Sequence, residues 1–160
     1  MPPTLQKGYP LLLWQPTDPD PRALASIAGH RTGADAPNLL SPLRLDAMSE
    51  QWPVQHADAL VCINTIHITP WEACKGLMTG AERTLRSSGV LYLYGPYQIN
   101  GRHTAQSNQE FDAWLRTQNA QWGVRDIAEV TELAAGHGFS PRKTIPMPAN
   151  NQSVIFERGP

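Results

Sequence analysis

The stretch from Ala57 to Trp71, ADALVCINTIHITPW, constrains this chain more than any other. Its first part is nearly unbroken apolar sequence that runs directly into Asn64, His67 and Thr69. A run of Val, Ile and Leu without period-two alternation is the pattern of a strand covered on both faces, as in a parallel sheet flanked by helices. Ligands of open α/β sheets bind beyond the carboxyl ends of such strands. The stretch therefore predicts a buried strand that delivers Asn64 and His67 to the border of a small-molecule site.

The remaining elements fall in order around it. LLLWQ at 11–15 predicts a strand, and TDPDPRALASIAG predicts a turn into a helix, with Asp20 as N-cap and Pro21 at the first helical position, where its missing N–H costs nothing. Leu39 to Asp46 predicts another short strand. Thr69-Pro70-Trp71-Glu72 is a capping-box pattern, and Trp71, Cys74, Leu77, Met78, Ala81 and Leu85 repeat at helical spacing as far as Ser88-Gly89. Gly89 to Gly95 then predicts an apolar strand ended by Pro96, followed by PYQINGRHTAQ as an irregular segment. Ser107 and Glu110 open a helix with Phe111, Trp114 and Leu115 on its face. Asp126 and Glu129 open another, striped by Ile127, Val130, Leu133 and Ala134 and stopped by Gly138. Two strands around 142–147 and 152–157, joined by PANN, predict a closing antiparallel hairpin.

Several classes of function are disfavoured at this level. At 160 residues the chain suits a single domain, 1–160, and is short for a complete doubly wound enzyme. Thirteen Lys and Arg against 14 Asp and Glu, with no run of like charge, leave no nucleic-acid footprint. No 18-residue apolar stretch is present, so the reading is a soluble, cytoplasmic protein without a membrane span. Cys62 and Cys74 read as small core hydrophobes. His67 and His103 lack the spacing of a metal site, and none is expected. A hydride-transfer enzyme would need a G-x-G-x-x-G turn before Asp18, which the sequence does not contain.

Strand, helix, strand, strand, helix, strand, long loop, helix, helix, strand, strand is a layered α/β order with a terminal hairpin. Six blocks carry a family resemblance: WQPTDPD at 14–20, LDA at 45–47, CINTIHITPWEA at 62–73, LYLYGPYQINGRHTAQSN at 91–108, WGVRD at 122–126 and MPANNQSVIF at 147–156. From about Pro10 onward the chain resembles the methyltransferase-like family catalogued as domain of unknown function nine hundred and thirty-eight. The resemblance implies a Rossmann-like class I methyltransferase sheet, mostly parallel with a C-terminal antiparallel hairpin, and S-adenosylmethionine as cofactor.

It also implies roles for particular residues. Asp18, in a PTD where the family has PSD, matches the acidic residue that accepts from the ribose hydroxyls; a role in helix capping is the alternative. Asp46 matches the position that accepts from the adenine amino group, with a turn-forming aspartate as its alternative. Asn64, on the ledge, is a third candidate for cofactor binding. Candidates for the acceptor pocket are His67, Tyr94, Tyr97, Asn100, His103, Asn150 and Asn151, with satisfied core or turn residues as the competing reading for each.

Members of the family begin with a first strand and a Gly-rich loop of the form E-x-A-S-G-S/T-G-Q-H, whereas residues 1–9 here read MPPTLQKGY. The expectation is an N-terminally truncated domain, first strand and helix missing, or a natural relative without the cofactor site, binding S-adenosylmethionine weakly or not at all. The strand at 11–15 is then expected to slide over and pair with 58–66, with self-association through unpaired strand edges. The functional expectation is a methyltransferase-like protein acting on a small-molecule acceptor, or a non-catalytic binding or partner protein of the same fold.

Overall fold

The computed structural model describes residues 12–34 and 36–160, so Leu11 and the leading segment fall outside the described residues. Two compact units divide the chain, one ending at Pro53 and the other running from Val54 to Pro160.

In the first unit, β1 (Thr17–Asp18) lies parallel to β2 (Leu43–Arg44), and Trp14 bridges Leu39 in the same sense. Helix α1 (Pro21–Thr32) connects them, and the Asp20 carboxylate accepts from the Arg22 backbone N–H at 2.9 Å, as an N-cap should. The helix is rich in alanine and buries no residue fully.

The second unit is built on a four-stranded sheet in the order β3 (Ala57–Ile63), β4 (Leu85–Gly95), β8 (Asn151–Arg158), β7 (Phe139–Met147). The pair β3–β4 is parallel and the other two pairs are antiparallel, so the closing hairpin is as the sequence predicts. Cross-strand register places Leu60, Leu91 and Phe156 in one row and Cys62, Leu93 and Val154 in the next. These rows face the core, where Leu91, Leu93, Val154 and Phe156 are at most 2% exposed. Helix α2 (Trp71–Thr84) contributes Cys74, Leu77, Met78 and Ala81 to the same core, and α4 (Ile127–Gly136) contributes Val130 and Ala134. Pro141 and Pro146 sit on β7, the edge strand, where a missing N–H costs no ladder bond toward a further strand.

Five sequence expectations are corrected. The expected pairing of the 11–15 strand with 58–66 is not made by its described residues: Trp14 pairs with Leu39, and β4 is the only strand beside β3 among the described residues. Nor is β3 covered on both faces, since Val61 is 37% and Ile63 47% exposed. Thr69 does not cap α2; Pro70 occupies the cap position, and the Thr69 hydroxyl donates to the Thr65 carbonyl at 2.7 Å instead. Helix α2 ends at Thr84, and Leu85 already begins β4. Finally, 97–103 is ordered as a small hairpin, β5 (Gln98–Ile99) with β6 (Arg102–His103), turned by Asn100 and Gly101 at φ 53 and 71. An Asn-Gly pair readily adopts positive φ at both positions, so this turn was visible in the sequence. No helix among the described residues is long and apolar enough to cross a membrane.

Candidate functional site

The site grows out of the end of β3. After Ile63 the backbone N–H of Asn64 still reaches the Tyr94 carbonyl at 2.8 Å, but Asn64 adopts a left-handed conformation, φ 59, which asparagine tolerates better than most residues. That reversal ends the strand and starts one turn of 3-10 helix, Thr65–His67. The ledge foreseen in the sequence is therefore a sharp corner rather than a continued strand.

His67 is wholly buried behind the corner. Its carbonyl accepts from the Gly123 N–H at 2.9 Å, and its Nδ1 accepts from the Arg125 backbone N–H at 3.3 Å. With Nδ1 accepting, the neutral ring carries its proton on Nε2, which is buried and has no hydrogen-bond partner among the described residues. Burial, reinforced by the Arg125 charge, lowers the His67 pKa to about 3. A group so depressed is neutral near pH 7 and is a poor base, so His67 acts in the scaffold of the corner. Its ring meets that of Tyr97 edge-on, with centroids 5.1 Å apart. Tyr97 is also fully buried, its hydroxyl has no partner among the described residues, and burial raises its pKa.

Arg125 holds the corner from outside. Its guanidinium donates to the carbonyls of Ile66, Thr69 and Gln121 at 2.8–3.0 Å and lies 5.6 Å from the Trp71 ring centroid. The strap it belongs to is fixed by Asp112 on α3 (Gln106–Gln118), whose carboxylate accepts from the Val124 N–H at 2.7 Å and from Arg116 at 3.0 Å. Gly95 completes the arrangement at the end of β4. A Cβ there would lie 2.6 Å from His67 Nε2 and 2.9 Å from Asn64 Oδ1, closer than real side chains approach, so only glycine lets both groups pack on the strand.

In front of the corner is a recess of about 310 Å³. Asn64 and Pro96 line it from the ends of β3 and β4, Ser107, Asn108 and Phe111 from the start of α3, and Ala149, Asn150 and Asn151 from the β7–β8 connection. Ala149 and Asn150 both have positive φ, 57 and 58, which turns that connection back on itself. The two far walls are tied together: Asn108 Nδ2 donates to the Asn150 carbonyl at 3.0 Å, and Asn150 Nδ2 to Ser107 Oγ at 3.1 Å.

The structure thus brings Asn64, Asn150 and Asn151 to one recess and sets His67 and Tyr97 in the core. Tyr94 lies on the sheet face opposite Leu91 and Leu93 and is half-buried. Asn100 is an exposed turn residue, and His103 stands 3.7 Å from Asp112. In the first unit, Asp18 Oδ1 accepts from the Asp20 N–H at 2.8 Å, while its second oxygen accepts no hydrogen bond among the described residues. Asp46 is exposed and accepts from the Met48 N–H at 2.9 Å. Cys62 and Cys74 are free buried thiols whose pKa burial raises, Cys74 to about 12, which removes them as nucleophiles.

Sequence reasoning did not find Asn108 or Phe111 as site residues. The sequence carried no signal for Asn108: its burial, only 4% exposed in the first turn of α3, comes from partners outside the helix. Trp114, expected on the packed face of that helix, is instead 55% exposed, and Asn108 and Asp112 take the inward positions beside Leu115.

A family model described as "Protein of unknown function (DUF938)" matches residues 5–158. Among solved structures, an O-methyltransferase family 2 protein from Planctomyces limnophilus DSM 3776 in complex with apigenin matches 98% of the chain with a TM-score of 0.85 and 17% identity. The SAH-bound form of CalO1, a methyltransferase in calicheamicin biosynthesis, matches 98% with a TM-score of 0.73 and 19% identity. A structure described as a pericyclic reaction enzyme matches 97% with a TM-score of 0.72 and 15% identity. The chain spans 45%, 45% and 39% of the length of these three proteins. At such identities the likeness concerns the fold, and the fold is that of the class I methyltransferases.

Proposed function

This chain belongs to the DUF938 family, and from that premise we propose that it is a methyltransferase-like protein that uses S-adenosylmethionine and takes a small-molecule acceptor in the recess at the ends of β3 and β4. The observation that carries the reading is the recess itself, placed beyond the carboxyl ends of two parallel strands of a methyltransferase sheet, where α/β folds take their ligands. S-adenosylmethionine supplies an electrophilic methyl group, so the protein has mainly to orient an acceptor and exclude water. A lining without ionisable groups suits that task. Asp18 would accept from the ribose hydroxyls through the oxygen that its turn leaves unspent.

A non-catalytic binding protein of the same fold is the second reading. It is favoured by the burial of His67, whose depressed pKa leaves the ledge without a working base. Equilibrium titration with labelled S-adenosylmethionine, on this chain and on a version preceded by the Gly-rich segment of the family pattern, tests the proposal. Weak or no binding by this chain and saturable binding by the version that carries the segment are expected, with Asp18→Ala weakening that binding by about 1–3 kcal/mol, the usual cost of stranding a hydrogen-bonded group. Absence of binding in both versions would remove the cofactor from the reading, and an affinity indifferent to Asp18→Ala would remove that residue.

A further inference from the structure

One wall of the recess belongs to an aromatic surface that continues beyond it. Phe111 on α3 lines the recess, and Trp114, one turn further along the helix, lies against Phe111 with ring centroids 6.0 Å apart and planes within 19° of parallel. Trp114 itself is 55% exposed. The two rings are therefore an offset stack that runs from the recess out to solvent. Another wall is the β7–β8 connection, where Ala149 and Asn150 both hold positive φ, a conformation that alanine keeps only where its surroundings enforce it. Two bonds to the first turn of α3 hold that connection in place: the Asn150 carbonyl accepts from Asn108 Nδ2 at 3.0 Å, and Asn150 Nδ2 donates to Ser107 Oγ at 3.1 Å. The spacing of the two walls is thus set before any ligand arrives.

We infer that the recess takes a planar aromatic molecule of one or two fused rings, stacked on Phe111 with Trp114 extending the platform. This rests on the proposed function only in taking the bound molecule for the methyl acceptor. A volume of about 310 Å³ stands at the small end of ligand cavities, which run from about 300 to 1,000 Å³. A flat ring gains stacking on an aromatic wall beyond the burial of its area, whereas a saturated ring system with the same carbon count is thicker and gains burial alone. The bonds between Asn150 and α3 resist the widening that the thicker body demands. The polar lining sets no preference of charge, because Asn64, Ser107, Asn150 and Asn151 offer donors and acceptors alike. Selection therefore falls to shape and to the aromatic wall.

Two probes separate these cases, 2-naphthol and trans-2-decalol, which share a carbon skeleton and a hydroxyl and differ in aromaticity and thickness. Titrated into the full chain without S-adenosylmethionine and followed by NMR, 2-naphthol is expected to bind tighter by about fivefold, although the saturated probe is the more hydrophobic. The Trp114 indole signal, identified by its loss in Trp114→Leu, is expected to move with it, together with the side-chain amide signals of Asn150. Trp114→Leu, at an exposed position, is expected to shrink the preference for 2-naphthol, and Phe111→Leu to abolish it. Circular dichroism checks that both variants fold; should Phe111→Leu not fold, Trp114→Leu decides alone. Decalol binding as tightly as naphthol in the unaltered chain overturns the inference. So do binding by neither probe, shifts confined to residues outside the recess and its aromatic pair, and a preference that the folded variants leave unchanged. Because no methyl donor is present, selective naphthol binding in a chain that never transfers a methyl group would refute the proposed function and leave this inference standing; methyl transfer without probe selectivity would do the reverse.

Discussion

Each of the two units contains a parallel strand pair, and the pairs are held by different means. β1 and β2 share two register positions, and the helix between them buries no residue fully. β3 and β4 share six, β8 extends the sheet in the antiparallel sense, and α2 buries seven residues, including Cys74, Leu77, Met78 and Ala81. Both pairs satisfy backbone groups, but only the second is welded to a core. The comparison teaches that a short parallel ladder positions loops, while burial of side chains in rows such as Leu60–Leu91–Phe156 supplies most of the resistance to unfolding.

The largest expected effect tests that contrast directly. Phe156→Ala should cost about 3–5 kcal/mol in chemical denaturation, as expected for emptying a fully buried aromatic position. Ile27→Ala, at a half-buried position of α1, should cost below about 1.5 kcal/mol. Equal costs would break the comparison.

An intermediate effect should appear with pH. The folded-state pKa of His67 is about 3 against a reference of 6.5, so the unfolded chain takes up the proton first as pH falls. The associated stability is fully present above pH 6.5 and is lost toward pH 3, at about 1.4 kcal/mol per pH unit well below pH 6.5. Denaturation curves at pH 6.5, 5.5 and 4.5 should show this slope for the second unit, and His67→Gln should flatten it even if that variant starts from lower stability. A slope that survives His67→Gln would assign the acid sensitivity to other groups.

The smallest effect compares two N-caps of the same residue type. The Asp126 carboxylate accepts from Ala128 N–H at 2.8 Å and from Gly101 N–H at 2.6 Å, so it caps α4 and also anchors the β5–β6 turn; the Asp20 carboxylate accepts only from Arg22 among the described residues. Asp126→Ala is expected to cost about 2 kcal/mol and Asp20→Ala about 1 kcal/mol or less, read by hydrogen exchange of the helices they begin. Similar costs would mean that the Gly101 bond adds nothing.

Much of this architecture was written in local pattern. Asp20 and Asp126 were legible as caps, Gly138 as a stop, and the alternation in 89–95 as a strand, because each depends on residues within a turn of one another. The Thr69 cap failed for a reason of the same short range: the 3-10 turn brings the Thr65 carbonyl to the hydroxyl before the helix can. Trp114 misled because an aromatic at helical spacing reads as core, whereas burial goes to Asn108 and Asp112, whose partners lie outside the helix.

By itself, then, the sequence determined the order of the elements, the parallel strand that ends at Asn64, the closing hairpin, and the family. Only the tertiary structure decided that Trp14 pairs with Leu39 rather than with the 57–63 strand, that His67 is sealed in the core, and that Asn108 meets Asn150 across 42 residues of chain to close the recess at the ends of β3 and β4. The division follows from range. Caps, turns and periodicities are set by neighbours along the chain, whereas which buried polar groups meet depends on partners brought together only when the whole sheet has formed.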